Sequence, residues 1–166
     1  MFDLKPLRRE AIPAALEKAE RYRLLNEPQE AESICLDVLA VDAKNQQAIV
    51  MLLLALSDQF EGRLGAAFEQ ARKLLERLPD EYSRTYYEGL LCERRAKAHH
   101  KQGNPSAGNV AFEWFRRAME CYERAERIRP AGNDDPILRW NTCARLLERH
   151  PELVAALPDT GEPFLE

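Results

Sequence analysis

The sequence predicts an all-α chain made of three helical hairpins in series, closed by a capping helix. Three observations predict this. First, four positions recur three times in one register: Ala31, Cys35, Val38 and Ala43 stand at offsets of 0, 4, 7 and 12, and Ala67, Ala71, Leu74 and Pro79 repeat them, as do Ala118, Tyr122, Ala125 and Pro130. A small-residue-led stripe at helical spacing, returning at intervals, marks stacked helical hairpins. Second, apolar residues make up 45% of the 166 residues and there are only seven glycines, a helix-rich composition and not a disordered one. Third, no stretch shows the alternation of period two that a half-buried strand requires.

The elements follow in order. The first helix is expected over about Arg9–Leu25, with Pro13 tolerable only in its first turn. Asn26-Glu27-Pro28 breaks it, and the second runs over about Pro28–Val41. Asn45 is a candidate N-cap for a third helix, about Gln46–Gln59, because its side chain can accept from an unpaired backbone N–H. Gly62 separates this from a fourth, about Leu64–Leu78, which Pro79 stops. The fifth spans about Glu81–Lys101, and the glycine- and proline-containing stretch 103–109 reads as a loop. A sixth follows over about Val110–Ile128. Asp135-Pro136 reads as N-cap and N1 of a seventh helix ending near Arg149. The expected organisation is one domain over residues 1–150, with hairpins at about 9–43, 46–79 and 81–130 and a cap at about 135–149. Residues 151–166 read as an extended tail whose late anchors are Phe164 and Leu165.

Each hairpin resembles a tetratricopeptide repeat, a 34-residue unit of two antiparallel helices. Ala19, Tyr22, Ala31, Val38 and Ala43 match the family pattern in the first unit, with Ala in place of the usual Pro. Ala67, Leu74 and Pro79 match in the second, where Leu53 stands at a position the family keeps small. Gly89, Ala118, Tyr122, Ala125 and Pro130 match in the third. The resemblance covers roughly residues 11–132 and implies a right-handed α-α superhelix of three such hairpins plus a C-terminal capping helix. The spacing departs from the family: 36 residues separate Ala31 from Ala67, and 51 separate Ala67 from Ala118. The third hairpin is therefore longer by about 15 residues than the second.

The resemblance also implies a concave groove lined by the first helix of each pair, where the family holds peptides or protein segments. The matching positions are Leu16, Glu17 and Glu20, then Val50, Met51 and Leu54, then Tyr86, Tyr87 and Leu90. The middle helix is apolar around its whole circumference from Ile49 to Leu56. Such a helix is either sandwiched by its neighbours or presents one face to something apolar. A family variety that clamps a C-terminal carboxylate uses Lys, Asn and Arg at positions matched here by Leu16, Glu20, Met51, Ser83 and Tyr87. None of these is basic or Asn, so an apolar or basic-residue-bearing segment is the expected occupant, with Glu17, Glu20 and Arg94 setting polarity.

Net charge is −4, which argues against a general nucleic-acid or membrane binder. Charge is uneven, however, since residues 81–130 hold ten Lys and Arg against seven Asp and Glu. Arg94, Arg95, Lys97, Lys101, Arg116 and Arg117 are a candidate basic patch; the plainer reading is a solvated face with pairs such as Glu113–Arg117 and Glu120–Arg124. His99 and His100 are adjacent, so their side chains diverge and no metal site is expected from the pair; His150 reads as a partner for the dipole at the end of the last helix. Cys35, Cys92, Cys121 and Cys143 lie in apolar helical patterns without CxxC spacing and read as core. Trp114 and Trp140 are expected to pack the sixth helix against the cap.

No nucleophile–base pair or glycine-rich phosphate loop is evident, so no catalytic residue and no cofactor are expected. The longest uncharged apolar run, Ala48–Leu56, is too short to span a bilayer, and the first residues lack a signal-peptide pattern, so a cytoplasmic location is expected. The functional expectation is a non-catalytic protein-interaction module, an adaptor or scaffold holding a protein or peptide partner. The alternatives are a homo-oligomeric scaffold or a nucleic-acid contact through the third hairpin.

Overall fold

The computed structural model describes residues 2–103 and 105–155, and all regular structure among them is helical. A 3-10 turn at Arg9–Ala11 leads into α1 (Ile12–Leu24). Then follow α2 (Pro28–Val41), α3 (Gln46–Ser57), α4 (Phe60–Leu75), α5 (Glu81–Gln102), α6 (Pro105–Arg127), α7 (Asp135–Arg149) and α8 (Pro151–Ala155).

Local chemistry accounts for most boundaries. Pro13 and Pro28 lie in first turns, where their missing N–H removes no helical bond. Asn45 accepts the Ala48 N–H at 2.9 Å, and Asp80 accepts the Ser83 N–H at 2.8 Å. Gly103 ends α5 in the left-handed region at φ 67°, a conformation open to glycine without steric cost.

Four expectations need correction. The break expected at Gly62 is present one residue later, at non-helical Arg63 (φ −136°, ψ 36°), but a short turn from Phe60 precedes it within α4, and the helix stops at Leu75, short of the expected Leu78. Phe60 is 2% exposed, and its burial ties that turn to the core. The expected loop at 103–109 is mostly helix, because Pro105 serves as the opening residue of α6. Asp135 does not cap α7; it is the first helical residue, and Asn133 Oδ1 accepts its N–H at 3.0 Å. The expected tail begins as the short helix α8, held by Leu153 at 2% exposure; Phe164 and Leu165 lie outside the described residues.

Each helix packs on its successor, and α1 touches α3 as α3 touches α5. Odd-numbered helices thus form one row. The recurrent register explains the approach: Ala31, Ala67, Ala71, Ala118 and Ala125 are each 0% exposed, and small residues let helix axes come close. The extra length of the third hairpin lies in α5, of 22 residues, and α6, of 23. One core joins α1 to α5; a second, built on Cys92, Ala96, Phe115, Tyr122, Cys143 and Leu153, joins α5 to α6, α7 and α8.

A Cβ on Gly89 would lie 2.8 Å from Tyr122 Cε1 and 3.1 Å from Cys121 Cβ. Gly89→Ala is therefore expected to destabilise by about 1–3 kcal/mol through overpacking, despite alanine's better helix propensity; a urea midpoint equal to or above wild type would refute this close approach. Asp80→Ala is expected to cost about 1 kcal/mol. The Ser83 backbone N–H holds the Asp80 carboxyl below its ordinary value, so the cap contributes fully above about pH 4 and fades as pH falls through the lowered value. The two proteins' stabilities should converge in acid.

Candidate partner-binding face

The row of odd helices carries two shared carboxylates. Asp58, which ends α3, accepts from Arg23 Nε of α1 at 2.7 Å and from Arg94 Nη1 of α5 at 2.7 Å. Glu93 of α5 accepts from Lys97 Nζ at 2.5 Å, from Arg139 Nη2 of α7 at 3.0 Å, and from the Tyr122 hydroxyl of α6 at 2.7 Å. Glu93 is 0% exposed. A carboxylate withdrawn from water costs several kcal/mol unless charges and hydrogen bonds replace its hydration, and here two cations and a hydroxyl do so. Burial and the Glu93 charge push the Tyr122 phenol well above its ordinary range. Burial, with Glu93 again, pushes the Cys143 thiol up to about 12. Burial opposes the charge of Arg139, but Glu93 and Tyr122 keep its guanidinium above its ordinary value.

The cations stand at the rim and the carboxylates beneath them: the Arg94, Lys97 and Arg139 side chains are 32%, 37% and 28% exposed, against 17% for Asp58. Together with Ser57, Phe60 and Glu61 these groups border a depression of about 180 Å³.

The row also carries half-buried apolar and aromatic side chains. Most of α3 is buried, so sandwiching explains the greater part of its circumference, but Val50 and Leu54 stay half-buried. Val50, Leu54 and Asp58 follow one another at helical i,i+4 spacing and share a face. On α5, Tyr86 lies 5.9 Å from Tyr82 and 5.2 Å from Tyr87 between ring centroids. Burial pushes the Tyr86 phenol up to about 12, so this aromatic cluster stays neutral.

The expected groove is accordingly changed. Val50, Leu54, Tyr86 and Tyr87 keep partial exposure, and Glu17 and Glu20 are exposed on α1. Leu16, Met51 and Leu90 are 3%, 8% and 6% exposed; they belong to the first core and offer no surface. Asp58, Arg23, Glu93 and Arg139 were missed. A lone carboxylate in the run Gly89-Leu90-Leu91-Cys92-Glu93 was a readable signal for one of them.

The candidate basic patch does not exist as one face. Arg94 and Lys97 hold the carboxylates just described, and Lys101 pairs with Glu61 at 2.6 Å. Arg95 and Arg117 lie over the Trp114 ring, at 4.1 and 4.6 Å from its centroid. Arg116 pairs with Glu120 at 3.4 Å, while Arg124 reaches Glu88 at 3.5 Å in place of the expected Glu120. Trp140 does tie α7 to α6, through Glu123 at 3.1 Å; Trp114 instead meets Phe68 of α4 at 5.4 Å.

The even-helix side holds a larger cleft of about 460 Å³, bordered by Phe68, Trp114, Arg117, Cys92 and Cys121. The four cysteines are free and buried. Arg124 Nη2 donates to Cys121 Sγ at 3.2 Å, and the neighbouring Cys92 thiol, with Arg124, holds the Cys121 thiol below its ordinary value. In that cleft Arg117 lies over Trp114 and Arg124 reaches Glu88, while Leu75 and Trp114 are half-buried. A third cluster, of His100, His150 and Glu152, lies at the far end of α5. No helix among the described residues is long and apolar enough to cross a membrane.

Compared with protein-family models, curated proteins and solved structures, the chain matches none.

Glu93→Gln replaces a buried charged acceptor by a neutral amide that cannot serve Lys97, Arg139 and the Tyr122 hydroxyl together, and is expected to cost about 2 kcal/mol. Asp58→Asn, nearer to solvent, is expected to cost about 1 kcal/mol. Urea denaturation of both variants checks this; equal losses would show that burial of Glu93 confers no special weight.

Proposed function

We propose that this chain is a non-catalytic protein-interaction module with a tetratricopeptide-like, right-handed superhelical arrangement. It holds a peptide or helical segment along the odd-helix row. The observation carrying this reading is the mixed face: half-buried Val50, Leu54, Tyr86 and Tyr87 on the same row as a cation-rimmed depression. Apolar and aromatic side chains left half-covered on rigid helices are the usual anchors of a groove.

The rim sharpens the partner's chemistry. Since Asp58 and Glu93 are turned inward and Arg94, Lys97 and Arg139 outward, an approaching segment meets positive charge. An amphipathic segment with apolar anchors and an acidic group fits this face better than the basic-residue-bearing segment expected from sequence. Glu17 and Glu20 bound the other edge and would disfavour further acidity there.

A second reading, assembly with further copies of the chain, is favoured by the adjacent Leu24 and Leu25 at 82% and 61% exposed.

Affinity capture from the native cell with wild type and with Val50→Asp/Leu54→Glu tests the groove. The double variant is expected to weaken retention of any co-purifying protein by at least about thirtyfold, the effect of losing a hot spot of 2 kcal/mol, with the helical circular dichroism unchanged. Retention that survives both changes in a folded protein would sink the groove reading. Light scattering separates the second: a mass that falls to one chain only on Leu24→Glu/Leu25→Glu would favour assembly.

A further inference from the structure

Away from the odd-helix face, the fold gathers three donors of the kind that ligate metals. His100 lies in the last turn of α5, His150 caps the end of α7, and Glu152 lies in the first turn of α8. One ligand atom from each lies within 4.8 Å of the others. His150 Nδ1 and Glu152 Oε1 are 2.9 Å apart, and the two imidazoles meet edge to face with centroids 4.6 Å apart.

The donors sit on packed backbone. The His150 N–H donates to the Leu147 carbonyl at 3.2 Å, and the Leu153 N–H to the His150 carbonyl at 3.0 Å. Pro151 fixes the backbone between the two α7–α8 donors, and Leu153, at 2% exposure, anchors that turn in the second core. His100 is presented by the long α5 helix. His99 cannot join, because neighbours on a helix point about 100° apart.

The donor set selects the ion. Two neutral imidazoles and one carboxylate suit zinc and its neighbours among the divalent transition metals, whereas magnesium and calcium require oxygen-rich sets. Tetrahedral zinc with bonds of about 2.0–2.1 Å holds its donors about 3.3 Å apart, so side-chain rotation over about an ångström closes the site. One negative charge facing a divalent ion leaves the complex at +1.

We propose that His100, His150 and Glu152 form a zinc-class metal site that clips the α7–α8 turn to the end of α5, with one coordination position open to water or an external ligand. This stands apart from the partner-binding reading and survives its failure.

The test is calorimetric titration of the untagged full chain with zinc sulfate, alongside visible absorption on adding cobalt(II). The expected result is one equivalent bound, a raised Tm, and a tetrahedral cobalt spectrum. His100→Gln, His150→Gln and Glu152→Gln should each weaken binding at least about tenfold, no less than the loss of an outer-shell partner, while His99→Gln leaves it unchanged. Glu152 is exposed, so its variant tests the site even where His150→Gln disturbs folding. Absence of zinc uptake overturns the proposal, as does uptake that survives both His100→Gln and Glu152→Gln, or magnesium binding of equal strength.

Discussion

Glu93 is the constraint on which the second half of the molecule depends. Its carboxylate has no access to water, and a buried charge is tolerated only where donors meet it closely. Those donors come from α5 itself through Lys97, from α6 through Tyr122 and from α7 through Arg139. Apolar contacts in the second core tolerate small rotations of a helix, since hydrophobic burial is non-directional. The Glu93 bonds do not, because a turned α6 or α7 would leave a charge or hydroxyl unmatched. We infer that this cluster sets the rotation of both helices about α5, and with it the position of Arg139 beside Arg94.

Asp58 repeats the arrangement one step earlier in the row. One carboxylate at the end of α3 draws Arg23 from α1 and Arg94 from α5, so three odd helices meet at a single side chain. In both cases the acid lies deeper than its bases. A chain with net charge −4 can thereby present a locally positive rim, because what a partner meets depends on which member of each pair faces water. Formal charge counts contain no such information.

What was legible in the sequence was what periodicity carries. The first three positions of the register marked buried sites, Ala31, Ala67 and Ala118 among them, because small residues recurring at helical spacing let neighbouring helices approach; its last position, at Ala43, Pro79 and Pro130, is exposed. Asn45 was readable as a cap because its chemistry acts within three residues. The short Phe60 turn ahead of the break was not, since it follows from burying Phe60 against tertiary neighbours. The start of α6 at Pro105 was misread because the same residues that form loops also open helices. The site itself was half legible. Val50, Leu54, Tyr86 and Tyr87 followed from the family resemblance, but Arg23–Asp58 and Glu93–Arg139 join residues 35 and 46 apart, and pairing over such distances leaves no local trace. For the same reason His100 was weighed only beside its neighbour His99, and His150 only as a partner for a helix dipole.

The run Glu93-Arg94-Arg95-Ala96-Lys97 shows how one helix divides what its sequence groups. Leu90, Leu91 and Ala98 of α5 belong to the first core, and Cys92 and Ala96 to the second. A helix buried on two sides leaves only narrow strips between its cores, and successive residues turn by about 100°. Arg94 and Lys97 emerge on the odd-helix strip, beside Asp58 and Arg139. Arg95 emerges on the opposite strip, over Phe68 at 4.3 Å and Trp114. Burial on both sides thus splits an apparent basic patch into a pair bordering the odd-helix depression and a stacking residue on the opposite side, and it forces Glu93 inward between them. The same length that lets α5 reach two cores also carries His100 past the first core to the α7–α8 turn. The cationic rim, the buried carboxylate and the histidine cluster are therefore three consequences of one lengthened helix.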